Sequence, residues 1–79
     1  MALAPLTLLT PGTPGRVREI RAGDELKGRL TVLGLLPQAE ITVVSAGHGS
    51  LIVSVAGSRY ALSRGIAAQV LVSEGDRPA

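Results

Sequence analysis

The sequence predicts a mainly β domain with one α-helix, folded as a small barrel of about five strands, with the helix inserted after the first long strand. Three observations predict it. Short runs alternate apolar and polar residues at the strand period of two, as in Arg16–Arg21 and Leu51–Ala56. One segment alone, Leu26–Leu30–Leu33, has helical spacing. Between these runs stand glycine and proline, 10 and 5 in number, so the strands are short and the turns tight. Strands of that kind close more readily than they form an open two-layer sheet, because closure removes edges.

The elements follow in chain order. Leu6–Leu9 reads as a short strand. Pro11-Gly12-Thr13-Pro14-Gly15 is a turn or loop. Arg16–Arg21 reads as a strand with Val17 and Gly15 facing inward; Ile20 breaks period two, which implies a bulge or the strand's end. Ala22-Gly23 makes a break, and Asp24 is placed to cap a helix by accepting from backbone N–H groups of the first turn. Leu26, Leu30 and Leu33 then share one helical face, with Lys27 and Arg29 pointing away. Gly28 is an oddity there, since a mid-helix glycine costs roughly 1 kcal/mol against alanine. Gly34 stands where a left-handed residue ends a helix, and Pro37 confirms the stop.

From Glu40 the period becomes two. Ile41 and Val43 face one way, Thr42 and Val44 the other. After a loop at 47–50, Leu51, Val53 and Val55 share a face. Gly57-Ser58 fits a two-residue hairpin turn of type II′, with Arg59–Leu62 returning. Ser63–Ala68 reads as a single helical turn and Gln69–Ser73 as a last strand. The core runs over about 6–73 of a single domain spanning 1–79, and the polar tail 74–79 is expected to be flexible.

With 79 residues the chain has room for one domain with a modest core. Hydrophobic residues make up 46%, and Tyr60 is the lone aromatic, so the core must be Leu, Ile, Val and Ala. The absence of cysteine excludes disulfides, thiolate metal sites and a thiol nucleophile. A formal charge of +2, with its basic residues scattered, is too small to imply nucleic acid. Single-strand binders also need aromatic platforms, which one tyrosine does not supply. Residues 41–58 carry no charge, but Ala46–Ser50 interrupts them; two strands and a turn explain the stretch better than a spanning helix of about 20 apolar residues. No direct membrane insertion is expected, and the N-terminus lacks the basic start of a targeting signal.

No catalytic or cofactor-binding residue is expected. His48 is the single histidine, between two glycines; it reads as an exposed turn residue, and metal contact there would need ligands from a second molecule. The serines have no histidine placed by a catalytic motif. Asp24 and Glu25 are adjacent and do not face one another. Gly12–Gly15 lacks the Lys-Ser/Thr ending of a phosphate loop. What remains is a basic patch of Arg16, Arg18 and Arg29, either a solvated face or a docking surface for an acidic partner.

An ordered set of motifs carries a resemblance. It consists of Leu6–Leu9 with Pro11-Gly12 and Gly15–Ile20; Arg29–Pro37; Glu40–Val44 with Leu51–Val55 and Gly57; and Tyr60–Arg64 with Ala67 and Val70–Val72. This order resembles the FeoA family, small proteins that accompany the ferrous-iron transporter FeoB, over about residues 6 to 73. One departure stands out: the family usually has glycine directly after the proline, where this chain has Gln38. If that position takes a positive φ, Gln38 is mildly strained.

The resemblance implies an SH3-like barrel and a non-enzymatic, cytoplasmic accessory role, peripheral to the inner membrane through the GTPase region of an FeoB-type transporter. The candidate docking residues are Arg16, Arg18, Lys27, Arg29, Val32, Leu35, Leu36 and Gln38, with a place in the core the favoured alternative for Val32 and Leu35. No cofactor is expected beyond weak binding of Fe2+ or another divalent cation. Two alternatives stay open: a metal-responsive sensor or carrier using His48, and a self-associating structural module, the oligomeric state being a monomer or a weak homo-oligomer.

Overall fold

The computed structural model describes residues 3–74. Six strands and two helices follow in order: β1 (Ala4–Pro5), β2 (Pro14–Ile20), α1 (Asp24–Val32), β3 (Glu40–Ala46), β4 (Ser50–Val55), β5 (Ser58–Ser63), α2 (Arg64–Ala67) and β6 (Val70–Glu74). The sheet is antiparallel throughout, in the order β1-β6-β2-β3-β4-β5. The five long strands are those the alternation predicts, and the helix lies after the first of them. Of the tail expected over 74–79, Glu74 belongs to β6 and the rest lies outside the described residues.

The expected strand at Leu6–Leu9 is instead a 3-10 helix over Leu6–Leu8, preceded by the two-residue β1. Leu9 N–H donates to Leu6 C=O at 3.1 Å. In a 3-10 helix residues three apart eclipse, so Leu6 and Leu9 both reach the core while Leu8 stays 69% exposed. The 3-10 turn and α2 contact each other, and α2 packs on β4 and β5, the turn on β6. They fill the gap between the two ends of the curled sheet, which are not hydrogen-bonded to each other.

The core is one aliphatic cluster drawn from all five long strands, with Val17, Leu35, Ile41, Val43, Leu51, Val53, Val70 and Val72 almost wholly buried. Tyr60 packs against it half-buried, opposite Val53. Ser73 is the sole buried polar residue among those described.

β2 carries the bulge that Ile20 implied. Val17 pairs with Val72 but Glu19 with Leu71, so Arg18 is the extra residue. The bulge turns both Val17 and Ile20 inward although they are three apart.

Two local expectations need correction. Gly23, not Asp24, is the N-cap of α1, and no side chain caps it; Asp24 lies in the first turn, where its charge suits the helix dipole. The β4–β5 turn is Ala56-Gly57, not Gly57-Ser58: Val55 pairs with Ser58, and φ is +53° at Ala56 and +81° at Gly57. Two positive φ values make the turn type I′, not II′. The single turn expected at Ser63 is present as α2, with Ser63 Oγ accepting from Ile66 N–H at 3.2 Å.

Candidate docking surface

The surface is built where α1 ends. Leu35 N–H donates to Leu30 C=O at 3.0 Å and Gly34 N–H to Thr31 C=O at 2.9 Å. With Gly34 at φ +100°, this is the Schellman pattern, and it satisfies the carbonyls of the last turn. The accompanying apolar contact is between Leu30 and Leu35, 2% and 0% exposed and in the same cluster. Leu35 is therefore a core residue and drops out of the docking candidates. Sequence pattern alone could not place it, because it lies past the helix, where spacing no longer reports facing.

A second turn follows at once. Ala39 N–H donates to Leu36 C=O at 2.9 Å, with Pro37 second and Gln38 third at φ +80°, the type II pattern. The strain foreseen for Gln38 is thus present, and its cost is about 1–2 kcal/mol for a residue with a β-carbon. Both of its ends are fastened to β2. Gln38 N–H donates to Val17 C=O at 2.7 Å, and Val17 N–H to Ala39 C=O at 2.8 Å. Arg16 Nη1 donates to Gln38 C=O at 2.8 Å. Arg18 donates from Nη1 to Gln38 Oε1 at 2.9 Å and from Nε to Ser73 Oγ at 2.9 Å. The bulge that makes Arg18 the extra residue brings these acceptors within its reach. Ser73 is a partner that sequence reading missed.

The structure therefore brings Arg16, Arg18 and Gln38 together as one strap, both arginines being half-buried. Lys27 and Arg29 are exposed on α1, Leu36 is 45% exposed and Val32 85%. Between α1 and β2 runs a groove of about 230 Å³, lined by Arg18, Glu19, Ile20, Lys27, Thr31 and Pro37. Glu19 on its rim is held by Arg21 Nε at 3.2 Å. On the other side of the helix terminus is an open hollow of about 570 Å³ that includes Gly34, Glu40, Thr42, Ser54 and Ala56.

His48 sits away from this surface. It is exposed at the β3–β4 loop, in a shallow depression shared with Arg64. Among the described residues no three His, Cys, Asp or Glu side chains gather as a metal site. No helix of the described residues is long and apolar enough to cross a membrane.

The FeoA domain model matches residues 4–74, from β1 to the end of β6. The chain belongs to the FeoA family. A protein of Methanocaldococcus jannaschii named for Fe(2+) transport is 29% identical over 72 residues, covering 91% of this chain and 88% of that protein. The crystal structure of an iron uptake regulatory protein, FeoA, superposes with a TM-score of 0.83 at 33% identity, over 94% of this chain and 99% of the other. The zinc complex of Stenotrophomonas maltophilia FeoA, described as a prokaryotic SH3 domain protein, gives 0.78 at 29% identity, over 87% and 88%. The fold of this FeoA protein is accordingly SH3-like, with α1 inserted between β2 and β3.

Proposed function

We propose that this FeoA protein is a non-catalytic accessory protein of ferrous iron uptake that binds the cytoplasmic GTPase region of an FeoB-type membrane transporter. Family membership across residues 4–74 carries the iron-transport part of this reading. The binding part is supported by the α1–β2 surface, where exposed apolar residues, Val32 and Leu36, stand beside exposed cations, Lys27 and Arg29. Apolar anchors rimmed by charge are the general anatomy of a protein interface. In this reading the protein works in the cytoplasm, at the inner membrane only through its partner. It uses no cofactor of its own, and the ferrous ion is the transporter's cargo.

The test is an NMR titration of labelled protein with the purified cytoplasmic region of the cognate transporter, with GTP and with GDP analogues. Shift changes confined to one face support the reading. Absence of change in both nucleotide states overturns it. Anaerobic calorimetry with ferrous iron separates the sensor alternative, which requires affinity tighter than roughly millimolar, worth about 4 kcal/mol.

A further inference from the structure

We infer that the β3–β4 loop and the start of α2 form a second docking surface, which takes an acidic segment of a partner protein with one of its carboxylates seated between His48 and Arg64. The inference rests on the binding reading above and adds a contact apart from the α1–β2 surface.

The first observation is how the two side chains are brought together. Arg64 N–H donates to Gly49 C=O at 3.2 Å, which ties the start of α2 to the loop that carries His48. Ala46, Gly47, His48 and Arg64 line one open depression of about 380 Å³. His48 and Arg64 are both exposed, and neither side chain makes a hydrogen bond or ion pair with a described residue. Arg64 supplies a full charge and a fork of N–H donors, and His48 a ring N–H; a carboxylate accepts from both. Arg64 also directly follows the N-cap Ser63, at a helix start where an acid suits the dipole better than a base. Helix stability therefore does not account for an arginine there.

The second observation is the charge around them. Residues 41–73 contain no acid, and neither do residues 3–18. Those spans take in the end of β3, all of β4, β5 and α2, the 3-10 turn, and the loop over 10–13, whose Gly12 N–H donates to Val43 C=O at 2.8 Å. The described acids stand on β2, on α1, at the first residue of β3 and at the last of β6. Glu40 opens β3 and Ala46 ends it, about 20 Å apart along the strand. Glu74 pairs with Gly15, which pairs with Ile41, so it stands near the level of Glu40. At physiological salt the screening length is about 8 Å, so neither acid balances Arg64. Glu19 is the acid nearest the other end of α2, where Arg21 N–H donates to Gln69 C=O, and Arg21 Nε already holds it at 3.2 Å. The face is thus left with unneutralised positive charge, complementary to an acidic segment. The 3-10 turn that contacts α2 adds an apolar side chain, Leu8, 69% exposed.

The test measures the affinity of the full chain for the purified cytoplasmic region of the cognate transporter, by calorimetry at two salt concentrations. Arg64→Glu and His48→Glu are each expected to lose about tenfold or more at low salt, and much of the salt dependence with it. Glutamate suits the start of α2, so an unchanged or raised Tm for Arg64→Glu shows that lost binding is not unfolding. Arg59→Glu makes the same charge change at the other end of β5, about 16 Å away, and should stay within about threefold of the parent. An equal loss in Arg59→Glu would mean that net charge, not this site, sets the affinity, and overturns the proposal. Parental affinity in both site variants overturns this face and leaves the binding reading intact. Sedimentation with phosphatidylglycerol vesicles, but not phosphatidylcholine vesicles, that is lost in the two site variants while they still bind the transporter region assigns the face to a lipid surface, and also overturns the proposal. A parent chain that binds the transporter region in neither nucleotide state overturns both readings.

Discussion

Arg18 reaches across the sequence to donate from Nη1 to the Oε1 of Gln38 at 2.9 Å, the one residue of the α1–β3 loop that is not glycine yet has a positive φ. A position whose backbone favours glycine instead carries a side chain that closes a bond. The bond is exposed and worth about 0.5–1.5 kcal/mol, against a backbone strain of about 1–2 kcal/mol.

Comparing two substitutions at this position separates the two effects. Gln38→Ala loses the side-chain bond and keeps the strained β-carbon, and is expected to destabilise by about 0.5–1.5 kcal/mol. Gln38→Gly loses the same bond and relieves the strain. It should exceed the alanine variant in stability by about 1–2 kcal/mol in urea unfolding. Equal stability of the two would show that φ +80° is not strained in this turn.

Ser73 tests the other end of the same guanidinium. It is 3% exposed, and its Oγ accepts from Arg18 Nε. Ser73→Ala leaves a half-buried donor without that acceptor and should cost about 1–3 kcal/mol. Chemical denaturation reads this directly, and a loss below measurement error would remove Ser73 from the network.

Leu35 and Leu36 are adjacent and opposite in role. Leu35→Ala opens a cavity at a fully buried site and is expected to cost about 2–5 kcal/mol. Leu36→Ala, at a position 45% exposed, should stay within about 0.5 kcal/mol of the parent. Comparable losses in the two thermal melts would mean that Leu36 also packs in the core.

Ala56 occupies the first central position of a type I′ turn at φ +53°, where asparagine is favoured. Ala56→Asn should stabilise by about 0.5–1 kcal/mol, read as a rise in the urea midpoint at unchanged slope. A fall would show that the alanine methyl, close to Gly34, matters more than the turn conformation.

The long strands, α1, its terminus at Gly34 and the bulge in β2 were legible because each rests on apolar spacing or on a residue with one favoured conformation. The β4–β5 turn was not, because Val-Ala-Gly-Ser-Arg admits two registers. Placing the turn at Gly57-Ser58 would set Leu51 opposite Arg64; the observed register sets it opposite Leu62, buried like itself. A cross-strand apolar pair outweighs one unfavourable φ. Leu6–Leu9 misled for a related reason. Three leucines in four residues fit a strand or a tight turn equally well, and only the packing of Leu6 and Leu9 decides. Among the candidate docking residues, charge and chain position singled out Arg16, Arg18, Lys27, Arg29 and Gln38, of which Arg16, Arg18 and Gln38 are hydrogen-bonded together. Leu35 and Ser73 lie where neighbouring elements, not local pattern, determine exposure.

Tyr60, half-buried opposite Val53, is the chain's whole complement of aromatic side chains. Its near-ultraviolet signal therefore reports on the β4–β5 hairpin and stays quiet about α1. With no tryptophan in the chain, red-edge excitation of a mixture lights up only a partner that has one. At those wavelengths the protein itself is dark, so the emission of any mixture belongs to the other molecule.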